Sequence, residues 1–286
     1  MEWPNVPPMD EVISGEFSSQ RGRTRSRDSV RVVTWNIERG LQFSAILDFL
    51  RSADADLIML QEVDLNARRT QHRDVAFELA RSLGLNYIFG KKFLELGAGS
   101  GSLPAYQGVA TLSQWPLTTG QIIRFQYQST FWKPRWYVPQ TELFQRRLGG
   151  RIALVTEALI HGQRFVIYNL HLESKGSDRL RLQQLQQVLE DAGRHTESSS
   201  VILGGDFNLN ATNGEAGATL QRAGFRDAVR LSRIPTSVAR LPFRSARCID
   251  WIFVSDVSHG VHSTGQIHGG ILASDHYPVS ATIEIL

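Results

Sequence analysis

A strand, an amphipathic helix and a buried strand occur twice in this chain, and both times the strands end on amide or acid side chains. RVVTWNI is rich in β-branched and aromatic residues, and Ser44 to Ser52 then carries Ile46, Leu47, Phe49 and Leu50 at helical spacing. DLIMLQEVD follows as a second, largely buried strand. RFVIYNLHLES, the helix from Leu180 to Leu189 and SVILGGDFN repeat the order, so VVTWNIE echoes VIYNLHLE and LIMLQEVD echoes VILGGDFN. The copies differ in loop length and not in the order of elements. Short strand, helix and buried strand in succession imply a crossover between parallel neighbours, and a doubled α/β layer is the simplest account.

Further elements extend this frame. Arg73 to Leu83 repeats helical periodicity and Gly84 ends it, Ala216 to Ala223 reads as another helix, and CIDWIFVS and HYPVSATIEI read as the last strands. Between the copies, Gly97 to Gly150 reads as a looser region. Residues 1–29 lack periodicity and are rich in Pro, Ser, Gly and Arg, which predicts a disordered leader. No composition break divides the rest, so residues 30–286 are expected to form one domain in which two packed, mostly mixed sheets carry helices on their outer faces. With 42% hydrophobic residues in 286, such a core is readily filled.

Polar side chains collect at the carboxyl ends of the strands, where α/β folds build their sites. Asn36, Glu62, Asn169 with His171, and Asp206 with Asn208 close buried runs; Asp250 opens one, and Asp275 and His276 directly precede the last strand. Each alone has an ordinary explanation in turn chemistry. Together they are acids, amides and imidazoles without a cysteine partner, because Cys248 is the only cysteine. That donor set suits a hard divalent cation such as Mg²⁺ or Mn²⁺, which takes one or two carboxylates and leaves its other positions to water and phosphate oxygens. Phosphate ester hydrolysis is the natural expectation.

At these residues the sequence resembles the endonuclease/exonuclease/phosphatase superfamily, through TWNIE, LQEVD, NLHLES, GDFN, IDWIF and SDHYPV in the family's order from Val32 to Val279. The resemblance implies a four-layer α/β/β/α sandwich and a metal-dependent phosphoesterase, more nuclease-like than phosphatase-like. Residue by residue it implies that Glu62 is the principal metal carboxylate, supported by Asn36 and with Asp275 as a metal or water ligand. Asp206 would orient or activate the attacking water, with Asn208 as a hydrogen-bond donor beside it. Asp250 and His276 would form the carboxylate and imidazole pair, and His171 a general acid or phosphate binder. Asn36, Asn169 and Arg147 are expected to touch substrate.

The remaining signals bear on partners. A formal charge of +3 does not demand nucleic acid, so the phosphate ester could belong to nucleic acid or to a phospholipid head group, and no obligate protein partner is inferred. GAGSGS lacks the Lys-Ser/Thr of a phosphate loop and reads as a flexible loop. Phe125, Tyr127, Phe131, Trp132, Trp136 and Tyr137, interleaved with Arg124, Lys133 and Arg135, fit base stacking, a lipid interface or a hairpin packed on the sandwich edge. No apolar run is long enough to span a bilayer, and the lack of a signal peptide and of paired cysteines leads to the expectation of a cytoplasmic protein. A non-catalytic binding protein on the same fold is the rival reading, opposed by the filled site positions.

Overall fold

The computed structural model describes residues 9–18, 29–132, 144–229, 234–239, 245–255 and 263–285. A short strand β1 (Val12–Gly15) precedes the first crossover, which is β2 (Ser29–Arg39), α1 (Phe43–Ala53) and β3 (Leu57–Leu65). Helix α2 (Val75–Leu83), a long hairpin of β4 (Asn86–Ser100) and β5 (Leu103–Ser113), then β6 (Thr119–Arg124) and β7 (Arg147–Gly149) follow. Strand β8 (Ile152–Ile160) leads into the second crossover, β9 (Gln163–His171), α3 (Asp178–Ala192) and β10 (Ser200–Asp206). The chain continues through α4 (Gly214–Arg222), β11 (Phe225–Asp227), β12 (Asp250–Ser255), β13 (Ser263–Ile267) and β14 (Val279–Glu284).

Both crossovers join strands that pair in parallel: Val32 to Asn36 lie opposite Leu57 to Gln61, and Phe165 to His171 lie opposite Ser200 to Asp206. One sheet runs β1-β4-β5-β3-β2-β14-β13, with β7 on β4; the other runs β11-β12-β10-β9-β8-β6. Side-chain alternation then sorts the core into layers. Val33, Trp35, Ile58 and Leu60 pack with α1 and α2, while Val166, Tyr168, Val201 and Leu203 pack with α3 and α4. Val32, Leu57, Met59, Ile167, Ile202 and Ile252 meet between the sheets. This is the expected α/β/β/α sandwich, and each such fully buried aliphatic contributes about 1.5–3 kcal/mol. The sheets approach so closely that a Cβ on Gly204 would come within 2.1 Å of Met59 Cε, so a larger residue there would force the methionine side chain aside.

Two expectations are corrected. The region after Gly97 is not loose at its start: Gly97 to Ser100 close β4, and a Cβ on Gly99 would lie 2.1 Å from Leu103 O across the hairpin. Gly99 answers this close backbone approach, while Gly97 and Gly101 supply left-handed backbone at φ of +69° and +55°. The leader is ordered over part of its length, because Val12 to Gly15 pair antiparallel with Gly90 to Tyr87, and Phe17 packs on Phe77 and Tyr87 with ring centroids at 5.3 and 6.3 Å. A few apolar residues suffice to add an edge strand, and the surrounding Pro, Ser and Arg hid them. Arg21 to Arg27 fall outside the described residues, as do Lys133, Arg135, Trp136 and Tyr137. Among the described residues no helix is long and apolar enough to cross a membrane.

Candidate active site

Strand register gathers the polar ends. On β9 the inward positions run Phe165, Ile167, Asn169, His171, so the last of them stands at the rim between the sheets. Asp206 lies opposite His171 in the parallel β9–β10 pair and opposite Asp250 in the antiparallel β10–β12 pair. From the other sheet, Asn36 ends the inward row of β2. His276 arrives just before β14, fixed by Trp35 Nε1 donating to His276 O at 2.8 Å and by Ser274 Oγ donating to Asn36 O at 2.6 Å.

The result is a ring of donors around one carboxylate. Asn36 Nδ2 donates to Asp206 Oδ2 at 3.1 Å, His171 Nε2 lies 3.5 Å from the same oxygen, and His276 Nε2 lies 3.8 Å from it. The backbone N–H of Asn208 holds Asp206 Oδ1 at 2.9 Å, which leaves Oδ2 to face the site. Behind His276, Nδ1 donates to Asp250 Oδ2 at 2.8 Å. Asp250 is itself set by its backbone N–H on Thr236 Oγ1 at 3.0 Å.

Electrostatics separate these groups. Burial pushes Asp206 up to about 6, with Asp250 adding to the rise while His276 and the Asn36 hydrogen bond oppose it. Burial alone would lower His276, yet Asp250 and Asp206 outweigh it and carry the imidazole up to about 10. It is therefore an imidazolium at neutral pH. His171, equally buried but facing Arg151 and Lys92, is pushed well below its ordinary value.

Glu62 sits in a bulge. Alternation along β3 would turn it toward the helices after Leu60, but the register slips between Gln61 and Val63, and Val63 takes that core place instead. Glu62 itself has φ of +54°, a left-handed conformation unusual for its type. Burial raises its carboxyl, but Lys92, Arg39, Arg151 and Arg147 overcome this and hold it at about 2. Among the described residues no hydrogen bond reaches that carboxylate, whose nearest ion-pair partner is Arg39 at 3.8 Å. An ionised, half-buried carboxylate without a donor among the described residues fits a metal ligand, and Asn36 Oδ1, which accepts the Glu38 N–H at 3.2 Å, is a second oxygen beside the site. Ligand atoms of Asp206, Asp250 and His276 also lie within 4.8 Å of one another. A protonated imidazole is no ligand, however, so that trio reads as a charged dyad against a carboxylate.

Not every expected residue reaches the site with a free side chain. Asn169 is fully buried between the sheets, donating to Leu60 O and Ala110 O at 3.2 and 2.9 Å and accepting from Gln61 Nε2 at 2.8 Å, so its amide joins the sheets. The Asn208 side chain donates to Leu172 O at 3.1 Å, so its link to Asp206 is through the backbone. Arg147 is held by Glu95 at 3.1 Å, in a network where Arg69 forks onto Asp64 at 2.7 Å. Asp275 stands beside the trio, 3.4 Å from Ser274 Oγ, and adds to the charge on His276.

Sequence reasoning missed Lys92, Arg151, Glu173 and the placing of Trp132. Lys92 Nζ lies 3.1 Å from His171 Nδ1. Arg151 is buried, with Nε and Nη1 lacking hydrogen-bond partners among the described residues, and feels the charges of Glu173, Glu62 and Asp206. Glu173 lies 3.8 Å from Arg151 and accepts Trp132 Nε1 at 3.0 Å. Phe125 and Trp132 are thus core residues, whereas Tyr127 and Phe131 are exposed. One signal was available: in the strand pattern NYIFGKKF, successive side chains alternate, so one of the two lysines had to point inward.

A sequence model of the endonuclease/exonuclease/phosphatase family matches residues 33–276. Among solved structures, an endonuclease/exonuclease/phosphatase from Beutenbergia cavernae is similar at 20% identity and a TM-score of 0.68, over 90% of this chain and 72% of that one. One from Bacteroides vulgatus is 19% identical with a TM-score of 0.62, over 90% and 99%. TDP2 from C. elegans is 19% identical with a TM-score of 0.59, over 93% and 78%. No curated protein matches the sequence.

Proposed function

Because the chain belongs to the endonuclease/exonuclease/phosphatase family, we propose that it hydrolyses a phosphodiester with the help of a divalent cation, by in-line attack of water. The observation that carries this reading is the Asp206 carboxylate, ringed by Asn36, His171 and a charged His276 and raised to about 6. Oδ2 accepts a proton from the attacking water as its oxygen bonds to phosphorus and the opposite P–O bond breaks, and the departing oxygen takes up a proton from solvent. The His276 imidazolium, fixed through Nδ1 by Asp250, donates from Nε2 toward the non-bridging oxygens as negative charge grows there. Arg151 adds the buried Nε and Nη1, which have no hydrogen-bond partner among the described residues although Glu173 lies 3.8 Å from Nε.

Glu62 and Asn36 Oδ1 are the residues proposed to hold Mg²⁺ or Mn²⁺. Such an ion, when bound, polarises a phosphoryl oxygen and contributes several kcal/mol to the transition state. Holding water, phosphorus and leaving group in line contributes as much as about 7–11 kcal/mol more.

The test is a panel of plasmid, abasic duplex, sphingomyelin vesicles and inositol phosphates, each with Mg²⁺, Mn²⁺ or EDTA. Metal-dependent cleavage of at least one diester is expected, and its identity names the substrate as nucleic acid or lipid head group. Turnover of the monoesters alone would overturn the diester reading.

A further inference from the structure

Lys92 stands out among the charged side chains because it is completely buried and bonded to a histidine rather than to a carboxylate. Its Nζ lies 3.1 Å from His171 Nδ1, and the opposite ring nitrogen, Nε2, lies 3.5 Å from Asp206 Oδ2. Burial lowers Lys92 well below its ordinary value, with Arg151 adding to the fall and Glu62 and Asp206 opposing it; in its ammonium form it offers N–H groups and no lone pair, while a carboxylate oxygen offers lone pairs and no hydrogen. A ring placed between them satisfies both ends in one form only: bare at Nδ1 and protonated at Nε2. With the proton on Nδ1 both contacts would be repulsive. A doubly protonated ring would direct one N–H at the ammonium.

We infer that Lys92 is a positioning residue that donates to His171 Nδ1 and fixes this ring as the neutral Nε2–H tautomer, aimed at Asp206 and at the phosphoryl oxygen beside it. His276 is the counterpart, since its Nδ1 meets the Asp250 carboxylate at 2.8 Å instead of an ammonium. The same side chain therefore takes two forms on two sides of one carboxylate. His171 is a fixed hydrogen-bond donor and not the general acid that its motif suggests, and burial together with the positive surroundings of Arg151 and Lys92 agrees with a neutral ring. This role in catalysis rests on the phosphodiesterase reading; the tautomer does not.

Ring-¹⁵N histidine labelling of the full chain, read by long-range ¹H–¹⁵N correlation at neutral pH, tests it. The eight histidines are resolved at this position by the signals missing from a His171→Gln variant. In the wild type His171 should show a protonated Nε2 and a bare Nδ1, and Lys92→Met should move the ring toward a mixture of tautomers. Protonation at Nδ1, alone or together with Nε2, overturns the inference, and so does a spectrum that Lys92→Met leaves unchanged. If Lys92→Met does not fold, the wild-type spectrum decides. On bis-p-nitrophenyl phosphate, Lys92→Met should lower kcat by about 10²–10³, the loss typical of one misplaced donor, with KM little changed. In a His171→Ala background it should cost nothing further, because coupled residues are not additive. An undiminished loss in that background would mean that Lys92 acts directly, contrary to the inference. A wild type without turnover on any phosphate ester would refute the proposed function while the tautomer result still stood or fell by the spectrum.

Discussion

Replacing Asp250 with Asn should remove a specific, pH-dependent part of the fold's stability. His276 titrates near 10 in the folded protein against an ordinary value of 6.5. A group raised in this way contributes stability that is complete below 6.5 and is lost as pH rises toward 10, because over that window the folded chain holds a proton that the unfolded chain has released. The full contribution is about 5 kcal/mol, of which roughly 4 remains at pH 7 and roughly 1 at pH 9. Asp206 and Asp275 share in it, so these figures are upper values, consistent with about 3–5 kcal/mol for breaking a buried ion pair. Urea denaturation of wild type and Asp250→Asn at pH 7, 8 and 9 measures the difference, in which titrating groups away from Asp206 and His276 cancel. The gap should narrow by as much as about 1.4 kcal/mol per pH unit. A gap that is constant with pH would refute the assignment of a charged His276.

Three further outcomes follow from the same contacts. Glu62→Gln should destabilise the metal-free protein at pH 7 by up to about 3 kcal/mol, since a carboxyl lowered from 4.5 to about 2 contributes stability above 4.5 that is lost as pH falls; a variant as stable as wild type in urea would contradict the cation cluster around it. The same substitution should weaken Mn²⁺ binding in calorimetry, and undiminished affinity would remove Glu62 from the metal site. Asn169→Ala should lose about 1–3 kcal/mol of stability by leaving buried partners unpaired, with KM unchanged in the folded fraction; a raised KM would restore the substrate role expected from sequence.

The sandwich was legible because its two crossovers each repeat the alternation and helical spacing that a half-buried sheet and its covering helix require. The rim residues Asn36, Asp206, Asp250 and His276 were legible as ends of apolar runs, and the register then brings them together. Asn169 misled because it belongs to the same inward row as His171 two residues later, and sequence alone does not say where along that row the sheets stop touching. Lys92 and Arg151 were invisible for a different reason: a basic residue ordinarily marks a solvated surface, and only the fold brings the buried Lys92 to His171 and the buried Arg151 to Glu173. Strand β1 escaped notice because four residues with little apolar character are recruited by a neighbouring edge and not by their own periodicity.

The proposed catalysis depends on a water molecule losing its proton to Asp206 beside a cation held at Glu62. Its most direct test is kcat/KM for bis-p-nitrophenyl phosphate with Mg²⁺, measured for wild type and for Asp206→Asn, an isosteric change that keeps shape and removes the base. Turnover that requires the metal and falls by about 10²–10⁴ in the variant is the predicted result. Equal turnover by the two proteins, or turnover indifferent to EDTA, would contradict it.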